Sequence, residues 1–107
     1  MTPESKVKKK VTTILKSVGA YYFYPVTGGY GRSGVPDIIC CLNGNFIGIE
    51  CKAGDNKATA LQLKNIQEIQ EAGGFAFIVN EDNIDSLERV LKTMAGEVID
   101  EHLHDRP

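Results

Sequence analysis

The chain has 107 residues, 42% of them hydrophobic and 24% charged, with a formal net charge of −2. That length suits one compact domain, taken as residues 1–107, and is too short for two. No apolar run is long enough to span a bilayer, and the charged start from Met1 to Lys6 has no apolar signal-peptide stretch behind it, so a soluble, cytoplasmic protein is expected.

Thr2 as N-cap and Pro3 at the first helical position open an amphipathic helix. Val7, Val11, Ile14, Leu15 and Val18 form its apolar stripe, and Gly19 ends it. Tyr21-Tyr22-Phe23-Tyr24 and Val26 read as a β-strand. Thr27 to Gly34, with four glycines, reads as a surface loop, in which Tyr30 and Arg32 are candidates for phosphate or strand contacts. A hairpin follows. Asn43-Gly44 is the favoured dipeptide for a two-residue type I′ turn, which makes Leu42 face Asn45. Ile38, Cys40 and Leu42 then share a face with Ile47, Ile49 and Cys51, while Ile39, Cys41 and Phe46 point the other way, and both faces are expected to be largely buried. Thr59 caps a second helix carrying Leu61, Leu63, Ile66 and Ile69, ended by Gly73-Gly74. Phe75 to Val79 is a continuous apolar strand. Asp82 is expected to cap a last helix with Ile84, Leu87, Val90, Leu91 and Met94 as its stripe. The core spans about residues 3–94; 95–107 form an acidic tail with a candidate short strand at Val98-Ile99. The expected fold is α/β, in the order α-β-β-β-α-β(-α), with a mixed central sheet flanked by helices.

The hairpin register carries the chemistry. Each facing pair sums to 87, so Asp37 lies opposite Glu50 on one face of the sheet, β-carbons roughly 4.5–5.5 Å apart, and Lys52 points to the same face. Like charges directly opposite on a strand pair are destabilising, so the pair calls for a counter-ion: a divalent cation, a nearby base, or both. A hard ion such as Mg²⁺ takes carboxylates plus waters and substrate phosphate, and the Cys51 backbone carbonyl is a further candidate ligand. Lys52 is placed to act on an attacking water or to stabilise charge developing on a phosphate. Together these residues outline a phosphodiester hydrolase. Cys40, Cys41 and Cys51 lack metal-type spacing and read as reduced, small apolar residues. His102 and His104 lie in the tail, away from any other candidate ligand.

Residues 1–64 carry nine Lys/Arg against four Asp/Glu, and residues 65–107 three against ten. The basic half holds the carboxylates. Lys8, Lys9 and Lys10 are therefore candidates for phosphate contacts, although on charge alone they also fit a solvated helix face.

Pro36-Asp37 followed by Glu50-Cys51-Lys52 resembles the motif of the PD-(D/E)XK nuclease superfamily. With Glu4 in the first helix, the Gly34-x-Pro36-Asp37 form of the loop, and Gln62 eleven residues before Gly73, residues 3–80 resemble the VRR-NUC family in its small stand-alone form, found in phages and bacteria. The resemblance implies a restriction-endonuclease-like core. It implies Asp37, Glu50 and the Cys51 carbonyl as ligands of Mg²⁺ or Mn²⁺, Lys52 as the catalytic lysine, and Glu4 and Gln62 as site residues from the two helices. It also implies a homodimer acting on branched DNA such as four-way junctions, in the cytoplasm of a bacterium or phage-infected host, with no nucleotide cofactor. An archaeal-type junction resolvase would have a similar hairpin. Two further readings compete: a catalytically silent DNA-binding or assembly module on the same fold, and a structural domain in which Asp37, Glu50 and Lys52 form a salt-bridge cluster.

Overall fold

The computed structural model describes residues 1–26 and 31–96. Its elements follow the expected order: α1 (Pro3–Val18), β1 (Tyr21–Phe23), β2 (Ile38–Leu42), β3 (Asn45–Cys51), α2 (Ala60–Glu71), β4 (Phe75–Val79) and α3 (Ile84–Met94). The sheet is mixed, in the order β1-β2-β3-β4. β1 with β2 and β2 with β3 run antiparallel, whereas β3 with β4 is parallel. This layout is compatible with a restriction-endonuclease-like core.

Local chemistry accounts for the elements. Thr2 Oγ1 accepts from Ser5 N at 3.1 Å, and Gly19 closes α1 in the left-handed region at φ 79°. Asn43 and Gly44 both have positive φ, 51° and 83°, as a type I′ turn requires, and the register pairs Leu42 with Asn45 and Ile38 with Ile49. The main core lies on one face of the sheet. Ile38, Cys40, Leu42, Ile47, Ile49 and Cys51 meet Val7, Val11 and Leu15 of α1 and Leu87 and Leu91 of α3, all of them buried. The opposite face carries α2, seated through Ile66 and Ile69. Gly48 permits that approach, because a β-carbon there would lie 2.9 Å from both Ile69 Cδ1 and Pro36 Cγ.

Four expectations change. The second face of the hairpin is only half covered: α2 lies over β3 and β4, leaving Cys41 exposed and Phe46 at 49% exposure. β1 stops at Phe23 and does not include Tyr24 or Val26, since Pro25 has no N–H to continue the ladder. The cap of α3 is Asn83 and not Asp82; it makes no side-chain cap bond, because its side chain faces back, accepting from Asn80 N at 2.8 Å and donating to the Ile78 carbonyl at 2.9 Å. Leu61 and Leu63 stay largely exposed, as the buried side of α2 is formed by Asn65 and Ile66. Tyr30, His102, His104, the Val98-Ile99 strand and nearly all of the acidic tail lie outside the described residues. Among the described residues no helix is long and apolar enough to cross a membrane.

Gly34 is the tightest point of the approach to the hairpin. Its φ is +77°, and a β-carbon would fall 2.6 Å from Leu61 Cγ and 3.0 Å from the Leu61 backbone carbon. Gly34→Ala must therefore move backbone against α2 as well as adopt an unfavourable dihedral. A loss of about 2–4 kcal/mol is expected, read as a lower urea midpoint with unchanged slope.

Candidate active site

The polar residues gather where β2 begins and β3 ends. Asp37 precedes β2, half-buried, and its Oδ2 accepts a hydrogen bond from Cys51 N at 2.9 Å. Glu50, one residue earlier on β3, is 2% exposed. Its Oε2 accepts from Gln62 Nε2 at 3.0 Å and lies 3.5 Å from Lys52 Nζ, on a side chain itself only 13% exposed. The other oxygen, Glu50 Oε1, is buried and has no partner among the described residues. Lys52 is anchored by its own N–H, which donates to the Val79 carbonyl at 2.8 Å across the parallel pair.

Electrostatics follow from this packing. Burial pushes the Glu50 carboxyl up from 4.5 to about 7; the Asp37 charge pushes the same way, Lys52 opposes both, and Glu4 adds a smaller upward push. Burial likewise raises the Cys40 and Cys51 thiols, to about 11 and about 12. Both are inert packing groups at neutral pH. Cys41 is exposed.

α1 contributes along one side. Glu4 and Lys8, one turn apart, are half-buried; Lys8 Nζ is 4.0 Å from Asp37 Oδ1 and 5.9 Å from the centre of the Tyr24 ring. Each carboxylate thus has its own lysine, Lys8 at Asp37 and Lys52 at Glu50. Lys9 and Lys10 remain on the exposed side of α1. Lys10 acts on Glu81, whose carboxyl is lowered first by its own N–H and by that of Gly54. Arg32 stands apart from this centre, its Nη2 2.6 Å from Glu68 Oε2 on α2.

α2 joins the two carboxylate strands. Gln62 closes a capping box, its Oε1 accepting from Thr59 N at 2.8 Å while its N–H donates to Thr59 Oγ1 at 3.2 Å, so the amide Nε2 is aimed at Glu50. One turn on, buried Asn65 donates through Nδ2 to the Ser33 carbonyl at 3.1 Å and to the Leu61 carbonyl at 3.0 Å. Asn65 is absent from the residues that the sequence singles out. Its signal is a poor helix former in the middle of a helix, one turn after Gln62. Replacing Gln62 with Leu removes two polar contacts at once, and is expected to cost about 1–3 kcal/mol in urea unfolding and to push the Glu50 carboxyl higher still.

Oxygen donors with a buried, unpartnered carboxylate oxygen suit a hard divalent ion. Asp37 and Glu50 would hold it, and the Cys51 carbonyl is the candidate third donor. Among the described residues no group of three or more His, Cys, Asp or Glu is assembled around one point, so the rest of a coordination shell would be water and substrate.

The chain is thus an α/β protein with a paired carboxylate–lysine centre at the ends of two adjacent strands. It is similar to "Putative nuclease p44" of Acyrthosiphon pisum secondary endosymbiont phage 1, with 28% identity over 85 residues, covering 78% of this chain and 89% of that protein. No family model matches the sequence.

Proposed function

We propose that this protein is a nuclease: a Mg²⁺- or Mn²⁺-dependent DNA endonuclease of the VRR-NUC type, within the PD-(D/E)XK superfamily. The observation that carries the reading is Glu50, a carboxylate 2% exposed with one oxygen unpartnered among the described residues, set beside Asp37 and Lys52. A structural ion pair has no use for that orphaned oxygen, since leaving it unbonded costs about 1–3 kcal/mol. The name of the phage relative supports the same class.

A divalent ion, when bound, would polarise the scissile phosphate and make a coordinated water more acidic. The protein's own groups do the rest. Asp37 and Glu50 would supply the negative charge that holds the ion. Gln62 and the Cys51 N–H hold those carboxylates in place. Lys52, 3.5 Å from Glu50 Oε2, would stabilise charge developing on the phosphate or orient the attacking water. Lys8 neutralises Asp37 and meets the approaching phosphate backbone, with Lys9 and Lys10 further out along α1. Glu4 faces the same centre.

One such site cuts one strand. A two-fold homodimer would present two sites in antiparallel relation, the arrangement a four-way junction needs, and branched DNA in the cytoplasm of a bacterial or phage-infected cell is the proposed substrate. The test is incubation of end-labelled junction, flap and linear duplex DNA with protein in Mg²⁺ or Mn²⁺, using Lys52→Ala as control. Metal-dependent cutting of the junction, lost in the variant, is the expected result. Junction binding without cutting under any condition would replace the proposal with a silent DNA-binding module.

A further inference from the structure

Among the described residues, half of one sheet face is left uncovered by α2, and that half begins beside the candidate active site. In the register, Phe23 pairs with Ile39 and Tyr21 with Cys41, so all four side chains lie on the face that bears Glu50 and Gly48. Asp37 stands two residues before Ile39 on the same face. Tyr21 is 73% exposed, Phe23 47% and Phe46 49%. These rings stand out of a sheet whose other face is packed against α1 and α3. Beside Phe46, an open cleft of about 350 Å³ runs under α2, lined by Ile69, Ala72 and Gly74 with the Arg32–Glu68 pair at its edge.

We infer that this strip, Tyr21, Phe23 and Phe46, is a stacking platform for the bases of an unpaired DNA strand leading to the carboxylate–lysine centre. The inference rests on the nuclease reading and names the part of the substrate that reaches that site.

Three observations select this occupant. The first is chemistry: the exposed groups are aromatic rings, and every base offers a π-face to a ring whatever its sequence. Four-stranded sheets that bind single strands use such rings in the same way. The second is spacing. Tyr21 and Phe23 are neighbours on one face of a strand, ring centres 6.5 Å apart and tilted by 58°, so they offer two separate surfaces rather than one closed pair. The third is charge. Tyr21, Phe23, Ile39, Cys41 and Phe46 include no acidic side chain, the carboxylate nearest the cleft, Glu68, is neutralised by Arg32, and Lys8 and Lys52 stand at the active-site end. A phosphate backbone following the strip meets the two lysines at the Asp37 end, and the Arg32–Glu68 pair beside Phe46 adds no net negative charge. A second copy of the chain fits less well, because five side chains fall far short of the about 20–30 residues per side that a stable protein interface uses.

The experiment compares the full-length protein with Tyr21→Ala/Phe23→Ala and with the ring-retaining Tyr21→Phe/Phe23→Tyr. Binding of a fluorescent oligothymidylate and of a labelled duplex of equal length is read by anisotropy at one salt concentration in EDTA, where no cutting occurs. The alanine variant should lose about tenfold in single-strand affinity for each ring removed, with duplex affinity changed less than about twofold and the ring-retaining variant close to wild type. Unchanged single-strand affinity, or an equal loss on duplex, would overturn the platform. So would a change of oligomeric state in sedimentation, which would make the strip a self-interface. Cleavage of duplex and junction in Mg²⁺ is measured separately. Ring-dependent binding by a protein that cuts nothing would refute the nuclease reading and leave the platform standing; cutting without ring-dependent binding would do the reverse.

Discussion

Glu50→Gln is expected to abolish metal-dependent cleavage, by a factor of about 10³ or more, while making the metal-free protein more stable at alkaline pH. The first effect follows from removing one of two charges available to hold the cation. The second follows from the raised carboxyl. Glu50 titrates near 7 in the fold against an ordinary 4.5, so between those values the folded state holds a proton that the unfolded state has released. Folding stability therefore falls as pH rises through this window and stays reduced above about pH 7. The shift corresponds to about 3 kcal/mol as an upper figure, at 1.36 kcal/mol for each pH unit, and loss of the Lys52 contact in the variant will lessen the gain. Urea unfolding in EDTA at about pH 4.5 and about pH 8 checks it. The two proteins should be nearly equal at the lower pH, where Glu50 is itself neutral in the fold, and diverge in favour of the glutamine variant at the higher. Equal stabilities at the higher pH would mean that the Lys52 contact fully offsets the cost of burying ionised Glu50.

Cation affinity should depend steeply on pH for the same reason. Below about pH 7 an incoming ion must displace the Glu50 proton, so the apparent Mn²⁺ affinity should fall about tenfold for each pH unit, or about a hundredfold from pH 7 to pH 5. Above pH 7 it should level off. Calorimetric titration in two buffers of different ionisation enthalpy would show about one proton released per ion at pH 6 and far less at pH 8. Glu50→Gln should bind weakly and lose that slope. An affinity independent of pH in the native protein would remove Glu50 from the ligand set.

Much of the architecture is readable from local signals. The Asn43-Gly44 turn fixes the hairpin register by itself, and that register already places Glu50 and Lys52 on one face with Asp37 at its end. The helices are marked by Thr2-Pro3, Thr59 and the periodic stripes. What escapes sequence reading depends on non-local packing. Nothing in the β2 and β3 patterns tells that α2 covers only β3 and β4, so Cys41 and Phe46 look buried. The cap of α3 moves to Asn83 because its side chain closes a turn with Asn80 and Ile78, a competition that the local spacing of Asp82 does not display. The early end of β1 is different, because Pro25 signals it locally and the aromatic run before it draws the strand too far.

The site residues divide in the same way. Asp37, Glu50 and Lys52 follow from strand parity, whereas Gln62 and Glu4 come only from resemblance. The structure gives Gln62 a physical task, a 3.0 Å bond to Glu50, that helical periodicity alone does not foretell. In sequence Lys8 belongs with Lys9 and Lys10 as one charge cluster; its separation from them needs the placement of α1 over Asp37.

Gln62 and Asn65 lie on a single turn of α2, the first grasping Glu50 and the second the backbone just ahead of Gly34 and Asp37. That turn acts as a gauge block between the two carboxylate strands, and its phase is set by Thr59 rather than by the loop before it. Lengthening the segment between Gly54 and Ala58 would leave the gauge intact, whereas one residue inserted between Gln62 and Asn65 would turn one amide by about 100° relative to the other and release one strand. Changes of length in that loop should therefore be tolerated, whereas the three-residue interval in α2 is held by the two amide contacts.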